Sequence, residues 1–145
     1  DGDDPKVADI TKGIKAILDT MRGKAPNATI ILTAIFPRND NIAVMPAINR
    51  INQNISKFAD GKRVRFLNVN DKLADKDGKL FPGMMNSDGL HPAIPGYQVW
   101  ADALKPLFTE LLGPRESPAE IRIILGGMGD RRVIHVHCHS RLPAG

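Results

Sequence analysis

The chain has 145 residues, which is about the size of one domain. Apolar residues make up 42% and charged residues 25% of it, an ordinary globular composition that excludes collagenous, coiled-coil and wholly disordered proteins. The formal net charge of +4 is mild, and the positive side chains are scattered among aspartates. Because a nucleic-acid surface needs a basic stripe with stacking aromatic rings, we expect no nucleic-acid partner.

Two further properties bear on the compartment. No apolar run approaches the roughly 18–20 residues that cross a bilayer, so we expect no membrane span. Cys138 is the only cysteine and permits no internal disulfide, which is compatible with both the cytoplasm and the periplasm. A periplasmic or secreted protein of bacterial type is slightly favoured over a cytoplasmic one.

The first predicted helix begins at Pro5, with Asp4 as its N-cap, and is ended by Gly23 and Pro26. Its apolar side chains recur at helical spacing and predict one buried face: Val7, Ile10, Ile14, Ile17, Leu18 and Met21. Residues 29–36 are apolar on both faces, which is typical of a strand inside a parallel sheet. A helix followed by a buried strand is the start of an α/β pattern.

A second helix and a second strand repeat this pattern. The helix is ended by Asp60 and Gly61, and residues 64–69 form the next predicted strand. The apolar side chains of the helix share one face: Ile48, Ile51, Ile55 and Phe58. A long loop, residues 70–93, follows the strand, and loops of this length in compact domains are often functional.

The last predicted helix starts near Pro95 and closes at Gly113, and Pro106 inside it is expected to kink it. Its apolar side chains again share one face: Trp100, Leu104, Leu107, Leu111 and Leu112. The alternation of helices and strands predicts an α/β layered domain with parallel strands over residues 1–113. Because each buried strand needs neighbours on both edges, we expect further strands to precede Asp1.

Residues 114–145 differ in composition from the rest of the chain. They hold no lysine, three of the four histidines and the only cysteine, so we expect an atypical tail or linker. Residues 121–125 and 132–139 could pair as the two strands of a hairpin. Three histidines of the second strand would share one face and could bind zinc, the alternative being a solvated tail: His135, His137 and His139.

The most informative stretch lies in the long loop, just before the last helix. It places Asp88 and His91 three residues apart on a turn. A carboxylate in this position can hold one imidazole nitrogen and fix its tautomer, which leaves the other nitrogen as a base. The loop follows the second strand and so lies at the carboxyl edge of the sheet, where α/β proteins gather their sites. Asp88 and His91 are therefore the candidate catalytic pair.

The residues around this pair resemble the final sequence block of the SGNH hydrolases, also called GDSL-like lipases and acylhydrolases. The matching positions are Asp88, His91, Pro92, Gly96, Tyr97, Trp100, Ala101, Leu104, Pro106 and Leu107. Upstream, residues 30–32 and 35–38 resemble the penultimate strand of that family, and residues 66–69 with Asp77-Gly78 resemble its last strand and turn. The resemblance covers residues 5–112, with bacterial relatives of platelet-activating-factor acetylhydrolase subunits looking most similar.

The resemblance implies a three-layer α/β/α, flavodoxin-like fold whose amino-terminal strands are absent from this chain. It also implies a carboxylic ester hydrolase that works through an acyl-serine on short acyl esters, such as acetyl groups on carbohydrate or lipid, without a cofactor. His91 would take the proton from the serine and give it to the leaving alcohol, while Asp88 orients His91.

The nucleophile of that family stands in a Gly-Asp-Ser block, and its oxyanion donors stand in two later blocks. The nucleophile block is not in this chain, because no Gly-Asp precedes any of the four serines: Ser56, Ser87, Ser117 and Ser140. The two blocks that carry the oxyanion donors in that family are not in this chain either. We therefore expect the isolated chain to be inactive. The alternative is a non-catalytic, truncated α/β interaction module.

Four residues are candidates for a substrate pocket: Arg38, Met84, Met85 and Leu90. Arg38 ends the first predicted strand on the active side, where it could contact an acyl or leaving group, or be a surface arginine. Met84 and Met85 are flexible apolar side chains that could border an acyl pocket or simply pack. The expected partner is a small acyl ester, and the sequence leaves open whether the chain forms a homo-oligomer.

Overall fold

The computed structural model describes residues 4–113 and the backbone of residues 133–136. Its elements follow one another along the chain in this order: α1 (Pro5–Lys24), β1 (Thr29–Thr33), a short 3₁₀ turn (Ile42–Val44), α2 (Met45–Ser56), β2 (Val64–Leu67), α3 (Asn70–Leu73), α4 (Ile94–Leu112) and β3 (Val133–Val136). The three predicted helices and two predicted strands are thus confirmed. Both strands end two or three residues earlier than the apolar pattern indicates.

The three strands form one parallel sheet in the order β2-β1-β3. Ile30 at the centre pairs with Val64 on one side and Ile134 on the other. β1 therefore has neighbours on both edges, as its fully apolar sequence requires. β3 falls within the predicted strand over residues 132–139, whereas residues 121–125 lie outside the described residues. The hairpin and the division of the chain at residue 114 stay predictions.

Helices cover both faces of the sheet. On one face, α1 and α2 pack on a core cluster with side chains of β1 and β2. On the other face, α3 and α4 enclose a second cluster whose buried members are Phe36, Val69, Leu73 and Met85. Two helical layers around a parallel sheet make a three-layer α/β/α domain, which confirms the predicted fold class. No helix in the described part of the chain combines the length and apolarity that crossing a membrane requires.

Local sequence determines where α1 begins and which face it buries. The Asp4 side chain accepts a hydrogen bond from the Lys6 backbone N–H at 2.8 Å, and the helix starts at Pro5, as predicted. Its buried residues come from the predicted apolar face: Val7, Ile14 and Leu18. Ile17 is 48% exposed instead, because at 3.6 residues per turn it lies about 80° from Val7, at the margin of the face.

The predicted loop over residues 70–93 carries structure of its own. It contains α3 and two isolated antiparallel bridges, Ala74 with Leu80 and Met85 with Pro92. The second bridge brings the two ends of the turn that holds Asp88 and His91 together. α4 then begins one residue earlier than predicted and continues through Pro106 to Leu112, which is 56% exposed.

Candidate active site

A closed turn over residues 86–91 presents Asp88 and His91 just ahead of α4. The Asn86 backbone N–H donates to the His91 carbonyl oxygen at 2.8 Å, and the Gly89 N–H donates to the Asn86 carbonyl oxygen at 2.9 Å. These two backbone hydrogen bonds close the turn and hold the side chains of Asp88 and His91 on one short segment.

The Asp88 carboxylate uses both oxygens within this turn. Oδ1 accepts backbone hydrogen bonds from Leu90 N–H at 2.9 Å and from His91 N–H at 3.0 Å. Oδ2 lies 2.7 Å from the His91 ring nitrogen Nδ1. One carboxylate therefore fixes both the backbone and the imidazole of the residue three positions further on.

These contacts make Asp88 a permanent anion at neutral pH. The His91 ring hydrogen bond, followed by the backbone N–H groups of His91 and Leu90, lowers the pKa of Asp88 from 3.8 to about 2. An ionised carboxylate can only accept, so in the neutral ring Nδ1 carries the proton and donates it to Asp88. Nε2 is then the basic nitrogen. The side chains of His91 and Asp88 are 51% and 48% exposed, so both are open to solvent.

The segment 35–40, which follows β1, contacts the turn directly. The Asn39 backbone N–H donates to the Gly89 carbonyl oxygen at 2.8 Å. Gly89 has φ +66°, and a Cβ placed on it would lie 2.9 Å from the Asp40 backbone nitrogen. A residue without a side chain is therefore required at the point where the two segments meet.

Arg38 belongs to this supporting segment and is buried. Its Nε donates to Asp40 Oδ1 at 2.6 Å, and its Nη2 pairs with Asp40 Oδ2. Hydrogen bonding to Asp40 raises the pKa of Arg38, and the same pairing lowers the pKa of Asp40. The guanidinium thus holds its own loop together, and a direct contact of Arg38 with substrate stays a prediction.

The other pocket candidates lie beneath or beside the turn. Met85 is buried in the apolar cluster with Phe36, and Met84 packs against the same cluster. Leu90 is half-buried between Asp88 and His91 in sequence. The rings of Trp100 and Phe36 meet edge-on with their centroids 5.3 Å apart, so Trp100 packs against the same apolar cluster. Whether the methionines and Leu90 border an acyl group stays a prediction.

Sequence reasoning missed two amides that hold the supporting segment. Asn52 of α2 bonds to both the N–H and the carbonyl of Ile35, and Asn70 bonds to the same carbonyl. The signal for Asn52 is its spacing, because it lies four residues after Ile48 on the apolar face of the helix. A polar residue at such a position is costly to bury unless it is hydrogen-bonded, so it indicates a specific partner.

Two of the four serines lie in the described residues. Ser56 on α2 donates from Oγ to the Gln53 carbonyl oxygen at 2.9 Å, and Ser87 is an exposed residue directly before Asp88. Ser117 and Ser140 lie outside the described residues. In residues 4–113 no three histidine, cysteine or acidic side chains form a group that could hold a metal. The candidate zinc ligands His135, His137 and His139 belong to a stretch whose side chains are not described.

Comparison with known proteins adds to this geometry. Residues 1–99 match the sequence model of the GDSL-like lipase/acylhydrolase family. Among solved structures, a protein from Streptococcus pneumonia, provisionally named a platelet activating factor, is similar with a TM-score of 0.59 and 30% sequence identity. The match covers 70% of this chain and 51% of that chain, so the present chain spans about half of its neighbour. A search of curated proteins found no match.

Proposed function

Because the chain belongs to the GDSL-like lipase/acylhydrolase family, we propose that Asp88 and His91 are the acid/base pair of a serine-dependent ester hydrolase. The observation that carries the proposal is the 2.7 Å contact between Asp88 Oδ2 and His91 Nδ1 on an accessible turn. This contact supplies the tautomer and the orientation that a base needs for activating a serine. The site lies at the carboxyl edge of the parallel sheet, which suits the proposal.

In this mechanism His91 moves one proton in each half of the reaction. Nε2 takes the proton of a serine hydroxyl while the serine oxygen attacks the ester carbonyl carbon, and it then protonates the departing alcohol. In the second half a water molecule gives a proton to Nε2 while its oxygen attacks the acyl carbonyl carbon, and Nε2 then returns that proton to the serine oxygen as the acid is released. Asp88 stays ionised throughout and stabilises the imidazolium that forms each time.

The attacking serine comes from residues other than Ser56 and Ser87 in this proposal. Ser56 is bonded to its own helix, and Ser87 shares the short turn with Asp88 rather than lying on a separate support. The chain also spans only about half of the similar solved structure. The other half of such a domain would supply the serine and the oxyanion donors. The resemblance to acetylhydrolase relatives favours short acyl esters, on carbohydrate or lipid, as substrates.

The test uses an ester-hydrolysing form of the protein that contains these residues, assayed with p-nitrophenyl acetate. His91→Ala is expected to lower kcat/KM by about three to four powers of ten, because a base of this kind acts as a unit with its serine. Asp88→Asn should also lower kcat/KM. Asp77→Asn, an exposed carboxylate in another turn, is the matched control. Hydrolysis by His91→Ala at the parent rate would refute the proposal.

The alternative, a non-catalytic interaction module, is favoured by the position of the described serines. Incubation of the 145-residue chain, alone and together with the complementary part of the domain, with a serine-directed phosphonate, followed by intact mass measurement, separates the two ideas. Covalent labelling that disappears in His91→Ala would exclude the non-catalytic module. We expect no labelling of the isolated chain, and labelling once the complementary part of the domain is present.

A further inference from the structure

Two side-chain amides from different helices hold the backbone of Ile35. Asn52 on α2 accepts from the Ile35 N–H through Oδ1 at 2.8 Å and donates through Nδ2 to the Ile35 carbonyl oxygen at 2.9 Å. Asn70, which begins α3, donates through Nδ2 to the same oxygen at 2.9 Å. Asn52 is 6% exposed and Ile35 is 4% exposed, so these bonds satisfy polar groups that water cannot reach.

Ile35 lies where the chain leaves the sheet. The preceding residue, Ala34, still donates its N–H to the Leu67 carbonyl oxygen of β2 at 2.8 Å. At Ile35, by contrast, the amide of Asn52 presents a donor and an acceptor side by side, as a neighbouring strand would. The two amides thus determine the position at which the segment 35–40 starts.

This segment leads directly to the candidate active site. The Phe36 ring packs edge-on against Trp100 of α4, with ring centroids 5.3 Å apart. Three residues later, the Asn39 N–H donates to the carbonyl oxygen of Gly89, the residue inside the Asp88–His91 turn. Gly89 and Asp40 pack so closely that a Cβ on Gly89 would lie 2.9 Å from the Asp40 backbone nitrogen, so the two segments cannot shift against each other freely. A displacement of Ile35 would therefore be passed on to the turn.

We propose that Asn52 and Asn70 are positioning residues for the Asp88–His91 pair, acting through the segment 35–40. The inference rests on the proposed function of that pair. Neither amide touches Asp88 or His91, so their effect is on the placement of the turn. A merely structural role would weaken the whole domain evenly. A positioning role weakens the contact between Asn39 and Gly89 and the Asp88–His91 hydrogen bond more than it weakens the sheet.

The experiment is native-state amide exchange on the 145-residue chain, combined with ¹⁵N spectra of the His91 ring, assigned by comparison with His91→Gln. Asn52→Leu should speed exchange at Asn39 by about tenfold or more relative to the amides of β1, since it leaves the Ile35 N–H buried without a partner. The ring should lose the signature of a hydrogen-bonded Nδ1 proton. Asn70→Ala removes one donor only and should act in the same direction more weakly, which keeps the test available if Asn52→Leu fails to fold.

Asn49→Ala is the matched control, because Asn49 is an exposed asparagine on the same helix. Equal acceleration at Asn39 and in β1, or an unchanged ring signature in both variants, would overturn the positioning role while leaving the proposed function intact. Absence of the bonded Nδ1 proton from the parent chain would instead contradict the proposed function. Selective loss at Asn39 and His91 with an unchanged Asn49→Ala variant would support the inference.

Discussion

Gly89 and Asp40 approach so closely that a Cβ on Gly89 would lie 2.9 Å from the Asp40 backbone nitrogen. The two residues belong to different loops, one after β1 and one before α4. Their contact, together with the adjacent Asn39–Gly89 hydrogen bond of 2.8 Å, joins the Asp88–His91 turn to the central strand. The glycine is therefore a requirement of tertiary packing as well as of backbone conformation.

Gly89→Ala should lower the free energy of unfolding by at least about 2 kcal/mol, since it adds a steric clash to the strain of a left-handed residue. Gly83→Ala is the matched control. Gly83 also has a positive φ, +77°, but a Cβ there meets nothing within 4 Å, so only the backbone strain of about 1 kcal/mol is expected. Urea denaturation measures both. Equal losses in the two variants would show that the contact with Asp40 is unimportant.

Gly96→Ala should destabilise the domain although it lies in a helix. A Cβ on Gly96 would lie 2.2 Å from the Met84 carbonyl oxygen, so α4 would have to move away from the turn at a cost of about 3 kcal/mol. A Cβ on Gly13 of α1 would meet nothing within 4 Å. Gly13→Ala should therefore raise the free energy of unfolding by about 0.5–1 kcal/mol. Opposite signs in urea denaturation are expected, and stabilisation by both changes would contradict the close approach.

Acid should weaken the turn within a defined pH range. The pKa of Asp88 is lowered from 3.8 to about 2 in the folded chain, so its stabilising contribution is complete above about pH 4 and is lost as the pH falls towards 2. Asp88→Asn cannot titrate and should lack this component. The melting temperature of the parent minus that of the variant should therefore shrink between pH 5 and 2, judged by circular dichroism. A constant difference over that range would contradict the assignment.

Asp40→Asn should lower the free energy of unfolding by about 1–3 kcal/mol, because it leaves the buried guanidinium of Arg38 without its anion. The side chain of Arg38 is 9% exposed and that of Asp40 is 29% exposed. Asp19→Asn is the control, since Asp19 pairs with Lys15 at the surface, where both side chains are more than half exposed and the loss should stay within about 0.5 kcal/mol. Similar effects of the two substitutions in urea would show that burial of the Arg38 pair adds nothing.

Local patterns predicted what depends on near neighbours in the chain. The cap of α1 at Asp4 is an example, and so is the pairing of Asp88 with His91, because residues three apart on a turn are within reach of each other. The end of β1 at Thr33 was harder, since Ala34, Ile35 and Phe36 are as apolar as the strand and remain buried after the pairing stops. Hydrophobicity reports burial and does not say where a ladder of hydrogen bonds ends.

Long-range contacts of the site could not be predicted in the same way. The hydrogen bonds from Asn52 and Asn70 to Ile35 span 17 and 35 positions of the chain, respectively. An asparagine in the sequence does not indicate which distant backbone group it will bind. The contact between Asn39 and Gly89 likewise depends on how two loops meet after the sheet has formed. Such contacts follow from the relative placement of whole elements, which is set by the packing of the core rather than by local sequence.

Nearly all the bonds that shape the Asp88–His91 turn lie between residues 86 and 91, and the segment 35–40 supplies its anchor. The local hydrogen bonds bring Asp88 and His91 within reach of each other, and the bond from Asn39 to Gly89 ties the turn that carries them to the central strand. A graft of residues 86–91 onto a different α/β scaffold would therefore need an equivalent of the segment 35–40 against Gly89 to keep the imidazole oriented.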